Sequence, residues 1–190
     1  MRTETILPKT FATLIAILGA LLVVMLAAPA GAEPPPAAGS TSPAAAAFDL
    51  FRGLAGEWQG NNHEGNTVRL RYEVVAEGSV VLEHLAVAGE HPHDMVTAYH
   101  LDGDALMLTH YCAAGNQPRM RAQRFATDEV TFDFVDVTGL DSPSTGHMHR
   151  VKFEFQDDDH LVSSWTWNED GADAFTAVVE TRRLTRVASR

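Results

Sequence analysis

The feature that most constrains this chain is a series of short segments in which apolar and polar residues alternate, separated by turn residues. Residues 68–75, VRLRYEVV, place every second apolar side chain on one side, which is the period of a half-buried β-strand. Residues 102–104, Asp-Gly-Asp, separate two further segments of this kind, and such a turn between apolar runs is a strong hairpin signal. The pattern therefore predicts a succession of antiparallel hairpins.

Nine or ten such segments follow Gly56, and none of the stretches between them is long enough for a crossover helix. Antiparallel strands in series remove their exposed edges most simply by closing on themselves. We therefore predict an all-β fold, a single antiparallel up-and-down β-barrel of nine to ten strands preceded by a short α-helix. Ser42 can cap that helix and Pro43 suits its first position, while Phe48 and Phe51 recur at helical spacing.

The segment before the barrel divides into two parts. Residues 1–32 carry an apolar run from Phe11 to Ala28 and then Ala30-Gly31-Ala32, which is the pattern of a cleaved signal peptide. An uncleaved membrane anchor is the alternative, because the run is about long enough to span a bilayer. Residues 33–47 are rich in Pro, Ala and Ser and predict a disordered tether. We expect residues 48–190 to form the barrel domain of an exported, periplasmic or secreted protein.

Composition excludes several kinds of partner. The formal net charge is −11, and removing residues 1–32, which carry a net +1, leaves −12. A chain this acidic repels nucleic acid and anionic membrane surfaces, so we expect no nucleic-acid partner and no membrane association after signal cleavage. Cys112 is the one cysteine, so no disulfide partner is required and stability must come from the core.

The first strand carries a family resemblance. Gly56-Glu57-Trp58 directly after a short helix resembles the start of the lipocalin, fatty-acid-binding and nitrobindin-like barrels, together called the calycin group. The layout over about residues 48–184 is similar to that of the uncharacterised bacterial barrels of the DUF1579 type. The resemblance implies that Trp58 closes the base of the barrel beneath a basic side chain of the last strand, where this sequence has Arg182 and Arg183.

The resemblance also bears on cofactors and ligands. Nitrobindin-like proteins bind heme through a histidine on a late strand, but no histidine follows His160 here, so we expect no cofactor. Calycin barrels enclose small lipophilic molecules, which implies the same for this chain. The polar side chains expected to fix one end of such a ligand lie on or beside apolar strands: His84, Tyr99, His110, Asn116, Gln117 and Arg119.

Other readings stay open. A hydrolase or isomerase could use His110 with Tyr111 or Cys112, although no third orienting group is identifiable in the sequence, and we assign no catalytic residue. The pairs His91/His93 and His147/His149 have a spacing that suits metal chelation, yet zinc needs three or four converging ligands, so no metal site is expected. A cavity-less barrel serving as an envelope interaction module is the third reading.

Overall fold

The computed structural model describes residues 42–142 and 144–186, so the expected signal segment and most of the tether lie outside the described residues. The described chain forms the predicted short helix and then ten antiparallel strands. Strands and helix have the following bounds: α1 Pro43–Gly53, β1 Gly56–Asn62, β2 Thr67–Val75, β3 Val80–Val87, β4 His93–Asp102, β5 Ala105–Tyr111, β6 Gln117–Phe125, β7 Glu129–Thr138, β8 His147–Asp157, β9 His160–Glu169 and β10 Ala172–Arg186.

The sheet is a closed meander. Each strand pairs with the next one along the chain, and β1 also pairs with β10, which closes the barrel. The predicted fold class is confirmed. Closure requires Gly60, because a Cβ atom at this position would lie 1.8 Å from the carbonyl oxygen of Glu180 in β10. A larger residue there would push the first and last strands apart.

Helix α1 forms as its sequence predicts. The Ser42 hydroxyl accepts a hydrogen bond from the Ala45 amide at 3.1 Å, Pro43 stands at the start, and Leu54 caps the other end. Residues 43–47, which the sequence-based boundaries place in the tether, thus form the first turns of α1. Phe48 and Phe51 are fully buried, and each contributes about 1.5–3 kcal/mol by leaving water. Among the described residues, no helix is long and apolar enough to span a membrane.

The strands alternate inward and outward side chains, and the inward ones fill one continuous core. The two ends of the barrel differ. At the end that α1 covers, which we call the helix end, Phe51, Phe132 and Phe153 are fully buried, while Leu50 and Phe155 are partly buried. At the opposite end, which we call the mouth, the apolar side chains of Met95, Met148 and Ala177 are only partly buried. Among the described residues, α1 covers the helix end and no helix covers the mouth.

Candidate functional site

The helix end is filled by an aromatic cluster centred on Phe51. The Phe51 ring stacks on Tyr99 at a centroid distance of 4.4 Å and meets Phe132 and Phe153 edge-on at 5.8 and 5.1 Å. All four side chains are buried to 1 % exposure or less. Contacts of this kind stabilise beyond the burial of area alone. The helix end is therefore a packed floor rather than an opening.

Trp58 and Arg183 seal the same end from the side of β1 and β10. The Trp58 indole N–H donates to the Leu54 carbonyl at 2.8 Å, and the Arg183 guanidinium lies 4.3 Å above the indole ring. Arg183 also donates to the carbonyl oxygens of Gly53, Leu54 and Ala55, where α1 ends. Arg182, its neighbour, is exposed and lies 3.9 Å from Asp157.

A row of polar side chains crosses the barrel interior above this floor. Tyr72, Glu83, Thr97 and His110 are register partners on the successive strands β2, β3, β4 and β5. All four are buried to 3 % exposure or less. Polar groups buried this deeply are costly unless they are hydrogen-bonded. We call these four residues the polar row.

Glu83 has two tyrosine partners in the interior. The Tyr99 hydroxyl donates to the Glu83 carboxylate at 2.6 Å, and the Tyr72 hydroxyl donates to the same carboxylate. Burial raises the pKa of Glu83, while the two hydroxyl donors oppose that rise. Burial also raises the pKa of Tyr99 well above its ordinary value, and the charge of Glu83 raises it further, whereas a hydrogen bond from Thr97 lowers it. The tyrosines thus stay protonated as donors.

His110 forms the other end of the polar row. Its Nδ1 lies 2.9 Å from the Thr97 hydroxyl oxygen, and its ring packs on Trp165 at a centroid distance of 4.6 Å. Burial lowers the pKa of His110 to about 4, so the imidazole is neutral near pH 7. Its Nε2 atom is buried and has no hydrogen-bond partner among the described residues. This atom is therefore a polar group that still needs a partner.

The mouth is built partly from the β5–β6 turn and the segment before β8. The Asn116 side chain, which is completely buried, donates from Nδ2 to the Gly146 carbonyl at 2.9 Å. The Trp167 indole packs on the backbone of Gly146 so closely that an added Cβ atom would lie 2.3 Å from the ring. Trp167 also stacks on Phe175, which is half exposed. Aromatic rings and one buried amide thus border the mouth.

The structure separates the six sequence-predicted ligand residues into two groups. Tyr99, His110 and Asn116 are buried in the interior or at the mouth. The other three lie elsewhere. His84 is on the outer wall, partly exposed and 3.7 Å from Glu73, and Gln117 bonds the Gly115 carbonyl. The exposed guanidinium of Arg119 forms a salt bridge with Asp136.

The groups considered for catalysis do not converge. Tyr111 alternates with His110 on β5 and its side chain is exposed. Cys112 is half-buried in the following turn, and burial raises the pKa of its thiol, which disfavours the nucleophilic thiolate. No hydrogen bond joins His110 to either side chain in the described part of the chain. We find here no nucleophile paired with a base.

The histidine pairs have different surroundings. In β8, His147 Nε2 lies 3.2 Å from His149 Nδ1, and Phe134 packs on both rings. Burial and the neighbouring His147 lower the pKa of His149. At the start of β4, His93 Nδ1 lies 2.9 Å from the carbonyl oxygen of His91 in the preceding loop. Within residues 42–142 and 144–186, no group of three or more His, Cys, Asp or Glu side chains is placed to hold a metal ion.

Sequence reasoning missed Glu83, which is the centre of the polar row. The segment SVVLEHLAV, residues 79–87, contains Glu83 and His84 side by side, and we selected His84. In the structure, Glu83 lies on the same side of β3 as the buried residues Val81 and Leu85. The opposite parity also contains apolar residues, so alternation alone could not decide which side faces inward.

Comparison with known proteins adds no family to these observations. The chain matches none of the protein families against which it was compared. No curated protein matches it either. What supports a relationship is the architecture itself, because a closed ten-stranded antiparallel barrel with one short helix is compatible with a calycin-like fold.

Proposed function

We propose that this chain is an exported, lipocalin-like protein that binds a small, mainly apolar molecule in the mouth half of its barrel. The observation that carries the proposal is the unpartnered Nε2 of His110, buried above a sealed aromatic floor. Small-molecule sites combine apolar walls with a few placed polar groups, and an imidazole nitrogen left unpaired in the interior is stabilised when a ligand supplies the missing partner.

The surrounding side chains support a site on the mouth side of His110. Trp165 packs on the imidazole, and Ala177, its register partner on β10, is only partly buried. Met95 and Met148 are likewise partly buried, and methionine side chains adapt readily to an incoming apolar surface. Entry thus requires side chains at the mouth to move, while the floor around Phe51 stays packed.

Origin and partners belong to the same proposal. Export rests on the pattern of residues 1–32, and kinship with barrels of the DUF1579 type rests on the strand series together with Gly56-Glu57-Trp58. The proposed partner is a small lipophilic molecule. The proposal includes no nucleic acid, no membrane and no disulfide-linked protein as a partner. Fold analogy contributes to this function. Its proposed polar residues are His110 and Asn116, because Tyr99 belongs to the packed floor and donates to Glu83.

The test is to find the molecule and then block its site. Native mass spectrometry of the exported protein should detect a bound lipophilic molecule, and the neutral probe N-phenyl-1-naphthylamine should bind the emptied protein. Ala177→Phe fills the mouth beside Trp165 and should abolish probe binding. Ala98→Phe is the control, because Ala98 alternates with the buried Thr97 and Tyr99 and so belongs to the outer wall. Equal binding by both variants would refute an interior site.

A cavity-less interaction module is the second candidate, and the outer wall favours it. Two grooves, of about 460 and 320 Å³, lie outside the barrel, one beside β1 and β10 and the other beside α1. Outward residues of β3 to β5 are largely apolar, and Tyr111 among them is half exposed. Exposed apolar surfaces of this kind mark interaction sites. Tyr111→Asp should then weaken self-association in light scattering, whereas ligand binding predicts no change.

A further inference from the structure

The wall of the barrel between β7 and β8 is hydrogen-bonded over only part of its length. The ladder pairing of these two strands ends, toward the mouth, at Asp133 and Arg150. Beyond that point, residues 134–138 of β7 pair with β6 and residues 147 and 148 of β8 pair with β9, but no pairing joins β7 to β8. The mouth half of this wall therefore depends on side chains for its closure.

Three rings fill the place where the ladder is missing, and we call them the ring cluster: Phe134 of β7 with His147 and His149 of β8. The Phe134 ring stacks on His149 at a centroid distance of 4.6 Å and packs on His147 at 4.8 Å. The two histidines contact each other, because His147 Nε2 lies 3.2 Å from His149 Nδ1. These contacts join β7 to β8 on the mouth side of the last ladder pair.

The ring cluster borders the proposed ligand site. Met148, which separates the two histidines along β8, packs partly buried against the core and is the register partner of Trp167. Gly146, directly before His147, accepts the hydrogen bond of the buried Asn116 amide. Separation of β7 from β8 at the ring cluster would thus open the mouth half from the side. The inference rests on the proposed function, because it concerns access to the same site.

The contact between the two histidines tolerates one extra proton but not two. A hydrogen bond between two imidazole nitrogens needs one nitrogen that carries a proton and one that is bare. Two neutral rings can meet this requirement, and so can one neutral and one charged ring. When both rings are charged, all of their nitrogens carry protons, so the 3.2 Å contact would place two donors and two positive charges against each other.

The charged groups around the cluster do not supply a bonded counter-ion for the second proton. Burial lowers the pKa of His149 most, and the charges of His147 and Arg150 lower it further, while Asp173 and Asp133 oppose the change. Both carboxylates are already engaged, Asp133 by Arg150 at 2.6 Å and Asp173 by a side-chain amide of β9 at 3.2 Å. Within the described ranges, no salt bridge joins either imidazole to a carboxylate.

We propose that His147 and His149 form an acid-sensitive gate in the barrel wall, closed while at least one ring is neutral and opened when both are protonated. Histidine takes up its proton near pH 6.5, and the second proton of a coupled pair is taken up at lower pH than the first. The gate therefore keeps the ligand enclosed near pH 7 and releases it as the pH falls below about 6.5.

Backbone hydrogen exchange tests the gate without a ligand. Opening that takes up one proton shifts its equilibrium about tenfold per pH unit. Exchange of residues 134–138 and 146–149, corrected for its intrinsic dependence on pH, should therefore accelerate at least about tenfold between pH 7.5 and pH 5.0. Exchange in the aromatic floor should not respond to this change.

Variants of the pair separate the gate from other effects of acid. His149→Phe keeps a ring against Phe134 but gains no proton, so the acid response should disappear, and His147→Phe should behave in the same way. His149→Lys carries a charge at both pH values and should exchange rapidly at pH 7.5 as well. His93→Phe alters the other closely spaced histidine pair, at the start of β4, and should keep the wild-type response.

The rate at which N-phenyl-1-naphthylamine dissociates tests the consequence for the ligand. In stopped-flow measurements, acidification from pH 7.5 to pH 5.0 should accelerate dissociation at least about tenfold in the wild type but not in His149→Phe. His110 does not interfere, because its pKa of about 4 leaves most of its rings neutral at pH 5.0, and both proteins contain it.

Each outcome has a separate meaning. Exchange that does not respond to acid in the wild type, or that responds equally in His149→Phe, overturns the gate. An exchange response without a change in the dissociation rate overturns it too, because the opening then gives no access to the ligand. If N-phenyl-1-naphthylamine does not bind at all, the proposed function is overturned, and the exchange measurement alone decides whether the histidine pair opens the wall.

Discussion

Arg183 offers the sharpest test of how the barrel is held closed. Its guanidinium is 6 % exposed, lies 4.3 Å above Trp58 and donates to three carbonyl groups at the end of α1, at 2.9 to 3.2 Å. Arg183→Ala removes all of these contacts. The substitution also leaves the carbonyl groups at the end of α1 without their donor. Because Phe51 of this helix fills the floor, we expect the packing of the whole helix on the barrel to be destabilised.

The contacts give the size of the effect. A hydrogen bond to a charged group contributes about 1.5–3 kcal/mol, and a cation–π contact sheltered from water contributes about 1–2 kcal/mol. The three carbonyl bonds share one donor group and water partly replaces them, so their contributions do not add in full. We expect Arg183→Ala to lower the free energy of unfolding by about 3–5 kcal/mol. Arg183→Lys should recover about half, because an ammonium keeps the charge but not the planar fork.

Urea unfolding followed by tryptophan fluorescence measures this change, and Arg182 provides the matched control. Its side chain is exposed and its ion pair with Asp157 spans 3.9 Å, which limits the pair to about 1 kcal/mol at most. Arg182→Ala should therefore change the urea concentration at the unfolding midpoint little. The dependence of the free energy of unfolding on urea concentration should stay the same. If Arg183→Ala lowered the free energy of unfolding no more than Arg182→Ala does, Arg183 would not stabilise the helix end as we describe.

Three further changes test the floor, the closure and the charge state of the interior. Phe51→Ala should cost about 3–5 kcal/mol in urea unfolding, as large aromatic truncations in packed cores do. Gly60→Ala should destabilise strongly because its Cβ would meet the Glu180 carbonyl, whereas Gly53→Ala, with nothing within 4 Å, should not. The pKa of His110 is about 4 in the fold and about 6.5 when unfolded, so the unfolded chain binds the proton first. As pH falls from 6.5 to 4, the free energy of unfolding of the wild type should thus fall by about 3 kcal/mol relative to that of His110→Phe. If the free energies of unfolding of the two proteins changed in parallel with pH, this expectation would be wrong.

The fold could be predicted because its determinants are local. Alternation marked the strands, Asp-Gly turns marked the hairpins, and Ser42 with Pro43 marked the start of α1. No segment after Gly56 is long enough for a crossover helix, which favours an antiparallel meander. The sequence bounded the number of strands at nine or ten, and the described chain has ten.

The site was harder to predict because it depends on which alternate residues of each strand face the interior. Arg119 alternates with Met120 and Pro118, which are both buried, and that pattern already placed its guanidinium outside. In β3 and β5, both sides of the strand carry apolar side chains. Alternation in the sequence therefore does not tell whether Glu83 or His84 faces the interior. The register of three neighbouring strands brings Glu83, Thr97 and His110 together, and register is a property of the closed sheet rather than of any one segment.

The polar row is hard to explain as a stabilising element. Burying a carboxylate with two hydroxyl partners costs desolvation that hydrogen bonds repay incompletely, and apolar side chains would fill the same space at less cost to the fold. Glu83 and His110 break the inward alternation of two otherwise apolar strands, and sites where a fold departs from its own pattern are those where function is expected. The packed floor beneath them supplies stability of its own, through Phe51, Trp58 and Arg183. Under the proposed function, the polar row belongs to the ligand site, while the packed floor stabilises the fold.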